Sequence, residues 1–323
     1  MTKVLILRFS AIGDIVLASP VMRILKQQKG EVEVHFCTKK NFKILLDSNP
    51  NIDKIHLLDD SLNDLIQTLK AEKYDYVIDL HNSLRSKAIR WRLGVKSKAI
   101  RKHYIEKWLI ENLKINKLPS THIVDRYLEA ALIAGVKDDG KGLDYYIPEV
   151  DDVSLKDLPV AFQEGYIVFA IGGQYATKRL PIHKLVELCK KIDYPIVLLG
   201  GKEDYSIGEQ VALQLKYTTT SIFNSCGKYN LNQSASLVKQ SKLVFSHDTA
   251  MMHIAAAFNK EVYSIWGNTI PGYGMYPFRT KYHVLENKGL SCRPCTKIGY
   301  AKCPKGHFKC MEELSFDGVE VKL

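Results

Sequence analysis

The sequence contains no apolar run long enough to cross a lipid bilayer. A membrane-spanning helix needs about 20 consecutive apolar residues, and no segment of the 323 residues approaches that length. The apolar N-terminal run from Met1 to Leu7 is interrupted by Arg8 and Asp14, and no small-residue cleavage site follows it, unlike in a secretory signal. We therefore interpret this run as the first buried strand of a cytoplasmic protein.

The glycine motifs of two large nucleotide-binding classes are also missing. The dinucleotide fingerprint G-x-G-x-x-G should follow the first strand, where only Gly13 is present. A later loop, residues 172–181, contains two glycines and a lysine without the G-x-x-x-x-G-K-[ST] spacing of a Walker P-loop. These absences argue against an NAD-dependent enzyme and against a P-loop nucleotidase.

Acidic residues are fewer than basic ones, and the formal net charge is +11. The chain has no recognisable nucleic-acid-binding module and no aromatics interleaved for base stacking, so we expect no nucleic-acid partner. An anionic acceptor or a membrane surface is our preferred interpretation of the basic cluster, and a solvated face is the alternative. The basic residues between positions 85 and 107 are Arg85, Lys87, Arg90, Arg92, Lys96, Lys98, Arg101, Lys102 and Lys107.

Cysteine is sparse outside the C-terminal tail. Cys37, Cys189 and Cys226 are isolated and are expected to be core thiols. Thiolates at close spacing can hold zinc in a tetrahedral site, with His307 as an alternative ligand; a reduced thiol cluster or a redox-labile pair is the other interpretation. The candidate ligands of the tail are Cys292, Cys295, Cys303 and Cys310.

Strand-like and helix-like segments alternate along both halves of the chain. This order predicts parallel sheets covered by helices. A polar stretch from residue 136 to residue 163 is the best linker candidate. We therefore predict an α/β protein with two Rossmann-like domains facing across a cleft, the first over residues 1–155 and the second over 156–323.

The most informative segment is Ser246–Ala257, which follows the apolar run Leu243-Val244-Phe245. Asp248 and Thr249 are good N-cap residues, so a helix N-terminus is predicted at the carboxyl end of a strand. Free N–H groups at such a place favour anionic ligands. An ordinary capped helix remains the alternative.

Other predicted strand ends also carry charged side chains. Asp14 opens a helix after the first strand, where it could be a cap or a general base. Lys178 and Arg179 follow two glycines and could bind phosphates or form a plain basic turn. Glu203 could hold ribose hydroxyls or favour a helix N-terminus.

The four motifs together are more specific than each alone. They are Arg8-Phe-Ser-Ala-Ile-Gly-Asp14, Asp79-Leu-His-Asn-Ser-Leu-Arg85, Thr177-Lys-Arg-Leu-Pro181 and Asp248-Thr-Ala-Met-Met-His253-Ile-Ala-Ala. In this order they resemble the heptosyltransferases of glycosyltransferase family 9, GT-B enzymes that build the lipopolysaccharide inner core from ADP-heptose. The resemblance extends from about residue 3 to about 312, including the cysteine-rich tail.

The resemblance implies an inverting, metal-independent transfer of heptose, or a similar sugar, from an ADP-sugar to a lipopolysaccharide-core or related anionic glycolipid. By analogy Asp14 is the general base and Asp248 binds the sugar hydroxyls. No cofactor is then required for catalysis, and the zinc would be structural. The remaining residues implied for the donor are Lys178, Glu203, Thr249, Ala250 and His253, and those implied for the acceptor are Asn82, Arg85 and Arg90.

The individual roles follow the same analogy. Lys178 would contact the diphosphate, Glu203 the adenosine ribose, and Thr249 with the N–H groups near Ala250 the phosphate. His253 would support the donor loop, with a buried structural histidine as the alternative. The chain departs from the family at Gly172-Gly173-Gln174, where members often have Thr, Ser or Ala, so backbone contacts would have to replace side-chain contacts with phosphate.

Two other functions fit the same two-domain shape. A sugar-nucleotide epimerase would bind a donor without needing the basic 85–107 segment, and a non-catalytic protein could bind nucleotide sugars in a decayed cleft. For the transferase we expect a monomer, cytoplasmic or peripheral on the inner face of the inner membrane.

Overall fold

The computed structural model describes residues 1–321, which form two compact units. The first comprises Met1–His103 and Thr121–Tyr146, and the second comprises Tyr104–Ser120 together with the chain from Ile147 onward. The predicted boundary at 155 therefore lies a short way beyond the division after Tyr146, and one helical segment of the N-terminal half is grouped with the second unit. No helix among residues 1–321 is both long and apolar enough to cross a bilayer.

The first unit is built on a five-stranded parallel sheet in the order β3-β2-β1-β4-β5. Val4, Leu5, Ile6 and Leu7 of the central strand are fully buried, as expected for a parallel strand covered on both faces. The strands are β1 (Thr2–Leu7), β2 (Val32–Lys39), β3 (Lys54–Leu58), β4 (Tyr76–Asp79) and β5 (Lys96–Ala99).

Five helices connect or follow these strands. They are α1 (Ile12–Val16), α2 (Ser19–Gln28), α3 (Leu62–Ala71), α4 (Leu84–Leu93) and α6 (Ile123–Ala131). Ser61 and Ser83 accept hydrogen bonds from backbone N–H groups at the starts of α3 and α4. The strand order reverses between β1 and β4, so the residues after these two strands lie where α/β sheets bind ligands.

The second unit contains a six-stranded parallel sheet in the order β11-β10-β9-β6-β7-β8. The strands are β6 (Ile167–Ala170), β7 (Ile196–Leu199), β8 (Ile222–Asn224), β9 (Leu243–His247), β10 (Glu261–Trp266) and β11 (Tyr282–Glu286). Its helices are α5 (Tyr104–Asn112), α7 (Ile182–Lys190), α8 (Tyr205–Leu215), α9 (Leu231–Gln240), α10 (Ala250–Ala257) and α11 (Lys309–Glu312).

Strand order in this sheet reverses between β6 and β9. The Gly172-Gly173 loop follows β6, and Asp248 follows β9 directly. The two segments that the sequence singles out in this unit therefore start at its topological switch point. The predicted α/β class with two Rossmann-like units is confirmed.

The isolated cysteines are core residues, as predicted. Cys37, Cys189 and Cys226 are each 1% exposed or less. Burial raises the pKa of the Cys189 and Cys226 thiols to about 12, so both stay protonated and behave as small apolar side chains.

Two segments differ from what the sequence pattern indicates. The pattern of residues 42–47 predicts a short helix, whereas the structure has a 3-10 helix at Lys40–Leu45. Strand β11 was not predicted, because its residues Tyr282–Glu286 are only partly buried and lie at the sheet edge, which weakens the apolar signal.

Candidate active-site residues

Asp248 is a buried carboxylate at the carboxyl end of β9. Its residue exposure is 9%. The Oδ2 atom lies 2.6 Å from Lys178 Nζ and accepts a hydrogen bond of 2.8 Å from Thr269 Oγ1. Lys178 Nζ also donates to the backbone oxygen of Asp248 at 3.0 Å. The structure thus joins two of the predicted donor residues, and Thr269 is a third partner that the sequence did not indicate.

Helix α10 begins directly after this ion pair without a side-chain cap. Thr249 occupies the N-cap position, but its hydroxyl makes no capping bond and lies 3.3 Å from Ser246 Oγ. Asp248, the other predicted cap, is engaged with Lys178 and Thr269 instead. The first N–H groups, from Ala250 onward, carry the positive end of the helix dipole, which favours an anion. His253, also on α10, is 2% exposed and belongs to the buried face of the helix.

The glycine loop after β6 approaches its neighbours closely. A Cβ atom at Gly172 would lie 2.5 Å from Asp204 Oδ2, and one at Gly173 would lie 3.3 Å from the Arg179 side chain and 3.4 Å from that of Thr249. Side chains at these two positions would therefore displace neighbours. The Gly-Gly departure from the family pattern has a local steric reason.

The buried carboxylate that contacts the residues after β7 is that of Asp204, which follows the predicted Glu203. Asp204 is 2% exposed, accepts from Gly201 N at 2.9 Å and pairs with Arg179 Nη1 at 3.2 Å. Glu203, one residue earlier, is exposed on the same turn. It lacks the burial that fixes Asp204, so a ribose contact by Glu203 remains a prediction.

Arg293 supports the loop that carries Thr269. Its guanidinium donates to the backbone oxygens of Trp266, Gly267 and Thr269 and pairs with Glu286 at 2.9 Å. The residue is 9% exposed. A chain of contacts therefore runs from Arg293 through Thr269 to Asp248. Nothing in the local pattern revealed it, because Arg293 lies inside the Cys-x2-Cys motif that suggested a metal.

His247 holds the loop that carries Lys178 through a hydrogen bond to Leu180. It is fully buried at the end of β9, and its Nε2 accepts from Leu180 N at 3.0 Å. Burial lowers the pKa of His247 to about 4, so the ring is neutral near pH 7. No role for His247 was predicted from the sequence. Its place in the Ser246–Ala257 segment, next to Asp248, was the sequence signal that pointed to it.

The low pKa of His247 makes the protein sensitive to acid. In the unfolded chain the imidazole takes up a proton near pH 6.5, whereas in the folded chain it does so only near 4. The contribution of His247 to the free energy of unfolding is therefore fully present above pH 6.5 and is lost as the pH falls towards 4. Between pH 7 and pH 5 this residue alone should lower the free energy of unfolding by about 2 kcal/mol. Urea unfolding at pH 7 and pH 5 measures this loss. The free energy of unfolding of His247→Asn should fall less between the two pH values, and an equal fall in both proteins would show that His247 is not the cause.

In the first unit, Asp14 is held at the start of α1 after β1. Its Oδ2 lies 2.6 Å from Arg8 Nη2 and accepts from Ala11 N at 3.2 Å, and Tyr127 donates to Oδ1 at 3.3 Å. The side chain of Asp14 is 21% exposed, so solvent or a ligand can reach it. Part of its role is that of a local cap, as the alternative interpretation expected.

Two neighbours of Asp14, Tyr127 and His81, are held in their neutral forms. Burial raises the pKa of the Tyr127 phenol, with Arg8 opposing and Asp14 adding to that shift, so the tyrosine remains a hydrogen-bond donor. Burial, reinforced by Arg8, lowers the pKa of nearby His81 to about 4. The Asp14 carboxylate is therefore paired with the Arg8 cation and accepts from the neutral donors Ala11 N and Tyr127 Oη.

Two of the three predicted acceptor residues make structural contacts. Asn82 donates to the backbone oxygen of Ile100 at 2.9 Å, and Arg90 Nε lies 3.0 Å from the buried carboxylate of Asp79. Arg85 is exposed on the first turn of α4. All three lie on or next to the segment after β4, and their acceptor roles remain predictions.

The cysteine tail does not assemble the predicted zinc ligands. Cys292 Sγ lies 4.0 Å from His307 Nε2, and Cys295 Sγ donates to the Cys292 oxygen at 3.1 Å. Within residues 1–321, no three ligand atoms from Cys292, Cys295, Cys303, Cys310 and His307 lie within 4.8 Å of one another. The zinc site is therefore not supported by the described tail. Three such ligand atoms do converge elsewhere in the described residues, at His35, His56 and Glu72.

Two Rossmann-like parallel sheets, with a cation and an open helix N-terminus at the switch point of the second, are typical of GT-B glycosyltransferases that use nucleotide sugars. The sequence profile described as glycosyltransferase family 9 (heptosyltransferase) matches residues 62–304. The chain belongs to this family and is a glycosyltransferase.

Curated relatives and solved structures agree. The chain is 27% identical over 295 residues to lipooligosaccharide heptosyltransferase 2 of Haemophilus ducreyi, covering 84% of this chain and 85% of the relative. It is similar to E. coli ADP-heptose LPS heptosyltransferase II, with a TM-score of 0.71, 19% identity and coverage of 97% and 98%. It is also similar to E. coli heptosyltransferase WaaC with ADP, with a TM-score of 0.66, 20% identity and coverage of 88% and 93%. These two likenesses place the chain in the GT-B fold.

Proposed function

We propose that this chain transfers a heptose from ADP-heptose to a lipopolysaccharide-type acceptor, with inversion and without a metal. The observation that carries the proposal is the Lys178–Asp248 pair, 2.6 Å apart at the uncapped start of α10. A cation and free N–H groups at one strand end suit a diphosphate. The solved relative with ADP and the curated lipooligosaccharide heptosyltransferase support the donor and acceptor classes.

The reaction needs a base for the acceptor hydroxyl. We assign this role to Asp14, which is partly exposed and can accept a proton on its carboxylate. As the proton moves to Asp14, the acceptor oxygen forms a bond to the anomeric carbon. The bond from that carbon to the diphosphate breaks, and the electron pair leaves with ADP. A single displacement of this kind inverts the anomeric centre.

The leaving diphosphate needs positive charge. We assign Lys178 and the N–H groups near Ala250 to this task, with Thr249 as a further donor. Asp248 would then be released from Lys178 to bind the sugar hydroxyls, and Glu203 would bind the ribose. His253 would position α10 from its buried face. Charge neutralisation by these groups requires no metal in the proposed mechanism.

The acceptor side is proposed to face an anionic lipid surface. On α4, Leu84 and Trp91 are 85% and 82% exposed. They are seven residues apart and therefore share one face of the helix, with Arg85, Lys87 and Arg92 beside them. Apolar and aromatic side chains flanked by cations are typical of helices at a membrane interface. Peripheral association of a monomer with the cytoplasmic side of the inner membrane is consistent with this surface.

A thermal-shift panel tests the donor assignment. We expect ADP and ADP-heptose to raise the Tm, and UDP-, GDP- and CMP-sugars to leave it nearly unchanged. At 100 times its dissociation constant the donor should add about 2.7 kcal/mol to the stability of the folded state. The Lys178→Ala variant should lose most of the shift. A larger shift with a uridine or guanosine sugar, or no dependence on Lys178, would refute the donor assignment.

A further inference from the structure

A buried polar cluster lies away from the candidate active-site residues, on the face of the first sheet that α3 covers. His35 of β2 is fully buried, and His56 of β3 is 5% exposed. Tyr74, which precedes β4, is also 5% exposed, and Glu72 follows α3 at the edge of the cluster. Two histidines in a sheet core require polar partners, because an unpaired buried imidazole is costly.

The nitrogen and oxygen atoms of the cluster converge on one point. His35 Nδ1 lies 3.1 Å from His56 Nε2, and Tyr74 Oη lies 2.8 Å from the first and 3.0 Å from the second. Glu72 Oε1 lies 3.9 Å from His56 Nε2, and the three atoms of His35, His56 and Glu72 are all within 4.8 Å of one another. Ligands about 2.0–2.1 Å from a tetrahedral zinc ion are separated by a little more than 3 Å, close to the distances among His35, His56 and Tyr74 and shorter than the 3.9 Å from Glu72 to His56.

We propose that His35, His56 and Glu72 form a site for a divalent cation of the zinc type. Two imidazole nitrogens and one carboxylate oxygen are a common zinc ligand set, and the fourth position would fall to Tyr74 Oη or a water molecule. The site ties β2, β3 and the end of α3 together. It is separate from the reaction assigned to Asp14 and Lys178, and its role is structural.

The outer contacts orient the ligands for this task. His35 Nε2 lies 2.7 Å from Glu33 Oε1, so its proton sits on Nε2 and the lone pair of Nδ1 points at the cluster. A carboxylate behind a metal-bound histidine is the usual arrangement at zinc sites, because it fixes the tautomer and strengthens the ligand. Glu33 is in turn held 3.2 Å from Lys3.

Glu72 is paired with two lysines, and a bound cation could replace one of them. Glu72 Oε2 lies 2.9 Å from Lys3 and Oε1 lies 2.5 Å from Lys54. The Lys54 side chain is 53% exposed and can turn into water, whereas Lys3 is 21% exposed. The cation would therefore take the Oε1 position of Lys54 and leave the contact with Lys3 intact.

His56 also borders a cavity beside the edge strand β3. A cavity of about 450 Å³ opens between β3 and α3, and His56 contributes to its lining. Three aspartates surround it and would attract a cation towards His56. They are Asp59, Asp60 and Asp64.

Cobalt titration of chelator-treated protein tests the site. Co²⁺ bound by two histidines and a carboxylate gives visible bands without a thiolate charge-transfer band, so the spectrum separates this site from the cysteine tail. We expect about one such Co²⁺ per chain, displaced by Zn²⁺ with a rise in Tm. The band should vanish in His56→Gln and in Glu72→Gln. Glu72 lies at the edge of the cluster with its side chain 14% exposed, and glutamine has nearly the same size. Glu72→Gln therefore still tests the site if His56→Gln fails to fold.

Matched variants complete the test. His183→Gln makes the same substitution at a histidine whose side chain is 62% exposed and should bind cobalt as the wild type does. Glu33→Gln, a positioning change, should weaken binding about 10- to 100-fold without changing the ligand set seen in the spectrum. The proposal is overturned if folded wild type shows no thiolate-free band, or if Glu72→Gln binds cobalt as tightly as His183→Gln does.

Discussion

Replacing Asp14 with asparagine is expected to abolish sugar transfer while ADP-sugar binding stays nearly unchanged. Asparagine matches the size of aspartate and can still accept hydrogen bonds from Arg8 and the Ala11 N–H, but it cannot take the acceptor proton. Loss of a general base typically lowers the rate by about 100- to 10,000-fold. Release of ADP in the presence of acceptor measures turnover, and calorimetry with ADP measures donor binding.

Two controls separate chemistry from stability. Arg8 keeps the backbone oxygens of Ser10 and Leu80 as acceptors in the Asp14→Asn variant, so the fold should survive and the Tm should stay near that of the wild type. Tyr127→Phe removes a single 3.3 Å hydrogen bond to Asp14 and should reduce the rate far less. Turnover of Asp14→Asn at the wild-type rate would remove this carboxylate from the mechanism.

The positions of the site residues were predictable because local patterns determine strand ends. Buried apolar runs identified β1, β6 and β9, and the charged residues that follow each run were visible in the sequence. The carboxyl ends of parallel strands lie on one edge of their sheet, where ligands bind, so Asp14 and Asp248 could be proposed as site residues from the sequence alone. The sequence pattern also predicts a strand over Lys54–Leu58, because turn residues flank this segment on both sides, and these are the bounds of β3 in the structure.

The partners of those residues were not predictable. Thr269 contacts Asp248 from 21 residues further along the chain, and Arg293 in turn donates to the backbone oxygen of Thr269. Tertiary contacts of this kind leave no local pattern in the sequence. Asp248 was expected to cap α10 because a short polar side chain before a helix usually does so. A nearby lysine competes with backbone N–H groups for the same oxygen, and here the charged pair with Lys178 is formed.

The cysteine tail shows the limit of spacing arguments. Close thiols and a histidine indicate ligand types, but the metal requires their atoms to converge, and sequence distance does not report that. In the structure the motif contributes Arg293, which holds the 267–269 loop, while Cys295 N donates to the Asn268 oxygen. The converging ligands, His35 and His56, are 21 residues apart on different strands, and no motif connected them.

Replacing Lys178 with alanine should reduce the rate of transfer by about 100- to 1000-fold, because a donor to the leaving group is removed at the point where charge develops. Lys239→Ala, at an exposed position near the end of α9, is the matched control and should leave the rate unchanged. Single-turnover measurement of ADP formation at saturating donor gives the effect on chemistry. Equal rates in the two variants would contradict the role of Lys178.

Asp248, the partner of Lys178, adds a second expected effect of the Lys178→Ala change, on the affinity for ADP. In Lys178→Ala, Asp248 keeps its bond from Thr269 but loses its cationic partner, so a buried negative charge faces the incoming diphosphate. Donor affinity should therefore fall more than loss of one contact explains. Adding Asp248→Asn removes that charge and should restore part of the ADP affinity without restoring the rate, since no cation is regained. Were the double variant to bind ADP more weakly than Lys178→Ala, the repulsion argument would be wrong, and Asp248 would be acting on the donor in some other way.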